Sequence, residues 1–527
     1  VEGVADAQGR KVPVALTGYI CPNCRHHGEI KDLAPASRRN NSGDRVLVLK
    51  PLYHISPLRR RPDTPDGDGS GDVVVFKFPK EPQVQQTAQN YIKRAMGFGG
   101  ETLGIHRGDL YVTSSLTYPE PMKADPADPA ARVPAPPEEW WQPEYRNRND
   151  PKAVALFAAS RDAGFTARVD GGFRMVRKGE GQLLADRRIV WDNDRQPAEL
   201  AGLVPPRWYA AEGAERWKAD DARQPRAFLH SGDTLDWLRY RHLAAEWKGS
   251  PKGIDPADAQ SASAQKPALI ENFLGYNVSR GVGPDEQLWV GDLILECEVQ
   301  MDAGSEVALE LSRGLDRFRA TFGGGKVVLS RARLHKQPGG KDELSPHAPI
   351  AERPCKVTAG TYRLRFANVD ARLWVWVDGK RVDFGFDADY EPSQFKEADY
   401  ESDDGKREGW KRANDIDAPA GIGAKGSVPA VRHVTLHRDI YYTWGRTNAP
   451  GSVDFTGADL YYVQPGHYFC MGDNSAHSSD SREWGVVPER LMLGRAVFVF
   501  FPVSLDWQFG WPPVRPNPGR NRVGFIK

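Results

Sequence analysis

The chain has 527 residues, a 40% hydrophobic and 27% charged composition, and a formal net charge of +1. Such a length exceeds one ordinary core and implies roughly two to four domains. The near-zero charge excludes a general drive toward nucleic acid or an anionic membrane surface, and no apolar run approaches the ~20 residues of a spanning helix. The five cysteines, Cys21, Cys24, Cys297, Cys355 and Cys470, are an odd set over this length, which argues against a disulfide scaffold.

The first chemical signal is Cys21-Pro22-Asn23-Cys24, with His26 and His27 following. Cys-x-x-Cys is half of a zinc ribbon, and a closed structural site needs four ligands. Three readings stay open: a structural zinc on Cys21 and Cys24 completed by a histidine or by sequence before Val1, an idle pair, and a redox pair.

Residues 43–115 read as β. Val46 and Val48 alternate with Leu47 and Leu49. Val73-Val74-Val75-Phe76 is continuous, as in a strand buried on both faces. Between them, Arg59 to Gly71 is a polar loop. Tyr91-Ile92 favours a strand, and Gly97, Gly99 and Gly100 favour a turn. Lys93 is therefore expected at a strand end beside that turn. A lysine buried on a rigid element has a lowered pKa and serves as a general base; taken alone, it also reads as a snorkelling surface cation beside Arg94. Gly108-Asp109 leads into a further strand, Leu110-Tyr111-Val112.

Residues 123–138 read as a proline-rich linker. Asp150-Pro151, then Val154, Leu156 and Phe157 with a stop near Gly164, predict a capped helix. Asp233 before Leu235, Trp237, Leu238 and Leu243 predicts a second. Asp192 and Asp194 either hold a hard cation or belong to an Asx-rich loop. Residues 251–267 read as a second linker.

Residues 268–440 look all-β. Leu293, Leu295, Cys297 and Val299 alternate with Ile294, Glu296 and Glu298, and Asp378-Gly379 marks a hairpin turn. Short alternating strands between turn residues indicate an antiparallel sandwich, similar to concanavalin- or laminin-G-like jelly rolls. Trp374 and Trp376 share one strand face; they either stack on a sugar or peptide or pack against the opposite sheet. Phe386 to Val428 reads as a long mobile loop, with strands resuming from Val434.

Near the end, Tyr468-Phe469-Cys470-Met471-Gly472-Asp473-Asn474-Ser475-Ala476-His477-Ser478-Ser479-Asp480-Ser481-Arg482 runs on to Pro488, followed by Leu493-Gly494-Arg495-Ala496. With Asn90 to Thr102, Gly43 to Lys50 and Gly71 to Phe76, this resembles the ordered boxes of bacterial type I signal peptidases, membrane serine proteases with a Ser–Lys dyad. The resemblance covers roughly residues 43–115 and 460–505. It implies a mainly β fold: a discontinuous signal-peptidase-like β domain with an inserted antiparallel β-sandwich and a small mixed α/β segment. The expected units are 1–122, the first half with its Cys-x-x-Cys knuckle; 123–267, a mixed insertion; 268–440, the jelly-roll-like sandwich; and 441–527, the second half.

The resemblance also implies roles. The Lys93 amine would take the proton of the nucleophilic serine, Ser478 would orient that amine, and Asp480 with Arg482 would form a supporting ion pair. Gly472-Asp473-Asn474 would make the turn that sets them in place. Asn90, Tyr91 and Ile92 would lie on the strand that pairs with an extended substrate. No cofactor is implied for catalysis. The implied partners are exported preproteins, cut after small residues of their signal peptides, and the membrane, through an N-terminal anchor outside this chain. Nucleic acid is not among them. The implied place is the extracytoplasmic side of the bacterial inner membrane. Two departures stand out. Gly99 replaces a usual proline, and none of the six methionines follows a serine, so the nucleophile is expected upstream of Val1 and the chain as written is expected to be inactive. The alternative is a non-catalytic envelope binding protein that uses the sandwich on a protease-like scaffold. The self-cleaving repressors of the wider Ser–Lys group fit less well, because no helix-turn-helix is evident.

Overall fold

The computed structural model describes residues 4–5, 11–12, 18–29, 45–50, 58, 60, 71–78, 90–136, 149–165, 169–202, 204–243, 247–248, 267–273, 289–336, 342–391, 412–442, 458–475, 478–501 and 524–525. The protein is mainly β. The first group of strands comprises β1 (Arg45–Leu49), β2 (Val73–Lys77), β3 (Asn90–Phe98), β4 (Thr102–His106) and β5 (Asp109–Thr113). β2 and β3 are antiparallel, with Val74 opposite Lys93 and Phe76 opposite Tyr91. Most of the Arg59–Gly71 loop between β1 and β2 lies outside the described residues.

β3 runs further than its glycines suggest. Gly97 is inside the strand, where a Cβ would come 2.9 Å from Phe469 Cβ, so the residue serves close strand approach rather than a turn. The turn falls at Gly99-Gly100, with Gly100 at φ +89. Lys93 is consequently mid-strand, not at a strand end. That placement corrects the expectation, and it fixes the lysine backbone through ladder pairing.

The stretch expected as a proline-rich linker contains a short hairpin, Met122–Ala124 with Arg132–Pro134. Asp125 and Asp128 accept from the amides of Ala127 and Ala130, closing Asx turns that the Asp-Pro composition hides. The first expected helix is present as α1 (Pro151–Asp162): Asp150 accepts from Lys152 N at 2.9 Å and Gly164 ends the segment with φ 78. A short helix, α2 (Glu180–Asp186), leads into β6 (Arg188–Asp192). Asp194 N donates to Asp192 Oδ1 at 3.0 Å, while Arg195 and His433 pair with the two carboxylates. The Asx-loop reading therefore holds at 191–194.

The second expected helix is a strand, β7 (Phe228–Tyr240). Its pattern has period two: Asp236, Leu238 and Tyr240 are buried, Leu235 is exposed, and Trp237 and Arg239 are half-buried. The apolar spacing alone suits a helix; pairing with a neighbouring strand overrides it. Residues 251–266 of the second expected linker lie outside the described residues.

The large sheet continues through β8 (Leu293–Met301), β9 (Glu306–Arg313), β10 (Asp316–Gly323), β11 (Lys326–Lys336), β12 (Gly360–Val369), β13 (Arg372–Val377) and the 19-residue β14 (Ala420–Arg438). One face of β8, Leu293, Leu295, Cys297 and Val299, joins Val307, Leu309 and Leu311 of β9 and Phe318, Ala320 and Phe322 of β10 in a single core. β14 pairs with β8 and β9 on one side and with β6 and β7 on the other. The sheet therefore gathers strands from both sides of the boundary expected at 267/268. β14 also begins at Ala420, inside the stretch expected to be loop through Val428; residues 392–411 lie outside the described residues. Asp378 (φ 49) and Gly379 (φ 75) form the expected hairpin turn.

Trp374 and Trp376 stack with ring centroids 6.0 Å apart and are buried. Their cover is α2 rather than the opposite sheet: Leu183 packs into their cluster, and Trp376 Nε1 donates to Glu180 Oε1 at 2.7 Å. Neither ring is open to a sugar.

The chain then returns to the first strands. β15 (Asp459–Tyr462) pairs with β4, β16 (His467–Met471) pairs with β3, and β17 (Met492–Phe501) lies between β1 and β2. Met96, Leu103, Ile105, Tyr461, Phe469 and Met471 form a core shared by the two smaller sheets. Val74, Phe76, Ala95, Cys470 and Trp484 fill the other face of the β2–β3–β16 sheet. The long insertion costs little loop entropy, because its ends already meet in neighbouring strands.

Candidate active site

The site begins with β-ladder register. β2 fixes one edge of β3, and β16 lies along the other edge only from Arg94 to Phe98. β16 thus stops short of Asn90–Lys93. It then turns at Gly472, and the chain returns past Ser478 into α3 (Ser481–Trp484). This return brings together residues nearly four hundred positions apart: Lys93 Nζ donates to Ser478 Oγ at 2.8 Å. Gly472 is the enabling residue, since a Cβ there would lie 2.1 Å from Ser478 Oγ and 3.2 Å from Lys93 Nζ.

Asp480 frames the loop. Its carboxylate is fully buried and accepts from Arg482 Nε at 2.8 Å, Arg482 Nη2 at 2.6 Å and Gly472 N at 2.9 Å. Arg482 Nη1 donates to Ser475 Oγ at 2.9 Å. A two-pronged guanidinium–carboxylate pair of this kind fixes direction as well as charge. Ser481 Oγ accepts from Cys470 N at 2.8 Å, tying α3 to β16.

Burial pushes the Lys93 amine below the ordinary lysine pKa. Asp480 opposes that shift, Arg482 adds to it, and Asp473 opposes it more weakly. Desolvation prevails because the charged form gives up more hydration than the nearby carboxylates return. The half-buried amine thereby gives up its proton more readily than an exposed lysine does.

Of the expected substrate-strand residues, Asn90 and Ile92 are exposed, the latter at 47%, and Tyr91 stacks on Phe78 at 4.7 Å. Lys93 Nζ lies 5.9 Å from the Tyr91 ring centroid, on the same strand face. Two further residues of the site carry no signal of their own in the sequence. Arg94 Nε donates to Asp473 Oδ1 at 2.7 Å, and its Nη2 donates to Asp186 Oδ1 at 2.6 Å. Arg94 is legible only as the neighbour of Lys93. Asp186 comes from α2, inside the insertion.

Cys21 and Cys24 lie apart from this site, in a turn between short strands at Gly18–Ile20 and His26–Glu29. The turn is docked by Asn23, which exchanges hydrogen bonds with the Asp192 backbone. Cys24 is buried against Leu200, with Cys21 and Val204 alongside. Among the described residues neither cysteine joins a group of three metal-binding side chains; the side chains of His26 and His27 lie outside that set. The group that does meet that condition, Asp109, Asp292 and Asp370, is already bridged by cations. Arg313 reaches Asp109 and Asp292 at 3.1 and 2.9 Å, and Lys178 reaches Asp370 at 3.0 Å.

With this geometry in place, comparison with known proteins is decisive. Residues 36–224 and 374–501, more than half of the chain, match the family described as signal peptidase, peptidase S26. The chain belongs to the S26 signal peptidase family. The match reaches past the two segments that resemble it by eye, taking in α1 and α2. Signal peptidase I of Pseudomonas aeruginosa is 29% identical over 178 residues, which is 33% of this chain and 58% of that protein. Signal peptidase I of Buchnera aphidicola is 48% identical over 67 residues, 12% of this chain and 20% of that protein. The chain thus spans little more than half the length of the first relative and about a fifth of the second. Among solved structures, a carbohydrate binding module from Bacillus subtilis aligns with 44% of this chain and 96% of its own, at 10% identity and a TM-score of 0.23. A likeness at that score supports no argument about this chain.

Proposed function

We propose that the chain is the catalytic β region of a type I signal peptidase, a serine endopeptidase that removes signal peptides from exported preproteins on the outer side of the bacterial inner membrane. The observation that carries this reading is the 2.8 Å contact between Lys93 Nζ and Ser478 Oγ, with the amine pKa lowered by burial. In this reading Ser478 accepts one amine proton and so points the nitrogen lone pair away from itself. Asp480 and Arg482 hold the loop that carries Ser478. Asn90–Ile92, beyond the end of β16, offer a strand edge for an extended substrate.

The attacking serine is taken to come from sequence outside residues 1–527, since no Ser-Met pair occurs within them. Its Oγ would bond to the scissile carbonyl carbon as Lys93 takes the hydroxyl proton. The resulting ammonium would return that proton to the departing amine as the C–N bond breaks. Water, deprotonated by the same lysine, would then attack the acyl carbon, and the C–Oγ bond would break as the ammonium returns the proton to the serine Oγ. The non-catalytic alternative leaves a desolvated lysine fixed against a serine without a purpose.

Zinc at Cys21 and Cys24 belongs to the same proposal. The turn supplies two thiols and packs them beside Leu200, so the remaining ligands must come from elsewhere. Elemental analysis of the reduced full-length protein tests it: zinc present supports a site, and zinc absent leaves the pair structural.

Preprotein cleavage by the full-length protein tests the main proposal. Lys93→Ala is expected to lower the rate at least a thousandfold. Cleavage by that variant at the wild-type rate would refute the assignment.

A further inference from the structure

Alternation along β3 puts Lys93 and Arg94 on opposite faces of the strand. Lys93 shares its face with Ala95, which packs with Val74 and Phe76. Arg94 shares its face with Met96, in the core between the two smaller sheets. Behind the lysine, the Arg94 guanidinium is held on three sides. Nη1 donates to Gly71 O at 3.0 Å, Nη2 to Asp186 Oδ1 at 2.6 Å, and Nε to Asp473 Oδ1 at 2.7 Å, with Nη2 reaching Asp473 Oδ2 at 3.3 Å. The group is planar and rigid, so the first two contacts fix the direction in which the third is offered.

Asp473 is the residue that this direction serves. It follows Gly472, whose amide donates to Asp480 and whose lack of a side chain lets Ser478 Oγ reach Lys93 Nζ. The Ser478 loop is thus pinned from the front by Asp480 and from behind by Asp473. The Asp473 side chain is 40% exposed, and an ion pair at such a site adds little when its partner is free to wander. A partner locked in advance holds it better.

The lock comes from α2. Gln182 and Asp186, four residues apart, lie on one helix face and meet Gly71 and Arg94. Leu183 and Glu180 fasten the same helix to Trp374 and Trp376 of the large sheet. Asp186 is 1% exposed, and among the described residues its Oδ2 has no hydrogen-bond donor. A buried carboxylate so incompletely matched is a poor stabiliser, and the bond it does make is directed at Arg94.

We propose that Asp186 is a positioning residue of the peptidase site: acting through Arg94 and Asp473, it holds the Gly472 turn so that Ser478 stays on the Lys93 amine. This deepens the peptidase reading and rests on it. It also gives the large sheet a part in the reaction, as the support on which α2 stands. A displacement of about 1 Å at a reacting group costs on the order of a hundredfold in rate, and a partial loosening costs less.

Preprotein cleavage by the full-length protein, together with amide exchange, tests the proposal. Asp186→Asn keeps the side-chain shape and removes the charge. It is expected to lower kcat about tenfold and to leave KM within about twofold, because the strand edge at Asn90–Ile92 is untouched. In an Asp473→Asn background the same substitution is expected to lower kcat by less than about twofold more, since both act through one contact. Glu180→Ala, which loosens α2 from Trp376 instead, is expected to leave kcat unchanged. The Gly472 amide is expected to exchange at least about tenfold faster in Asp186→Asn, with the amides of β8 and β9 unaltered. Near-ultraviolet circular dichroism shows that the variants are folded under assay conditions. A wild-type kcat, or wild-type exchange at Gly472, in folded Asp186→Asn would overturn the proposal. So would a fully additive loss in the double variant, or an equal loss in Glu180→Ala. The exchange measurement needs no protease activity. If Lys93→Ala cleaves at the wild-type rate, the peptidase reading fails, while exchange at Gly472 still decides whether Asp186 holds the turn.

Discussion

Arg94 donates to Asp186 at 2.6 Å, with both side chains buried, across 92 residues of sequence. The contact joins the strand that carries Lys93 to a helix of the insertion. That same helix covers Trp374 and Trp376 on the sandwich and places Gln182 against Gly71, where β2 begins. α2 is thus a bracket between the sheet that carries Lys93 and the large sheet. Asp186→Ala is expected to destabilise the protein by about 3 kcal/mol, because it leaves part of a buried guanidinium unmatched. Urea unfolding measures this, and a change near zero would mean that Arg94 is satisfied without Asp186, through Asp473 and the Gly71 carbonyl among its partners.

Gly472→Ala tests the tight approach behind the site. The added methyl group would lie 2.1 Å from Ser478 Oγ, so the serine must move off the amine. Activity of the full-length enzyme is expected to fall about a hundredfold, while stability changes by only about 1–3 kcal/mol, the usual cost of overpacking. Equal activity in variant and wild type would show that Ser478 does not need its present position.

Ser478→Ala removes the acceptor and leaves the buried amine unanchored. The expected result is a fall in kcat of about 10²-fold, in the range typical for a mispositioned general base, with KM unchanged. A rise in KM at constant kcat would assign Ser478 to substrate binding instead.

His242 sets a pH dependence of stability independent of catalysis. Burial pushes its pKa well below the ordinary imidazole value, and the nearby Arg25 and Arg207 add to the shift. The unfolded chain takes up a proton near pH ~6.5, whereas the folded chain resists until well below that. The unfolded state then binds more protons, so stability falls as pH drops below about 6.5. Urea midpoints at pH 8 and pH 5.5 should show wild type losing about 1 kcal/mol more than His242→Gln over that interval. Equal losses would place the histidine in contact with solvent.

The sequence makes the region around Lys93 and Ser478 readable where residue identity is tied to geometry. Lys93, Ser478, Asp480 and Arg482 come together as their spacing in the family boxes implies, and the capped start of α1 follows from Asp150-Pro151. The failures have a common cause. β7 reads as a helix because Leu235 and Leu238 are three apart, and only pairing with β14 reveals the strand. Gly97 reads as a turn because its partner Phe469 is distant in sequence. Asp186 carries no local signal, since one aspartate on a short helix is ordinary until Arg94 is placed against it.

The most direct test of the central claim is a heteronuclear NMR titration of the Lys93 side chain, assigned with Lys93→Arg and repeated in Ser478→Ala. The amine is expected to titrate clearly below the ordinary lysine value of about 10.4 and to respond when the serine is removed. Titration at the ordinary value, indifferent to residue 478, would contradict the account.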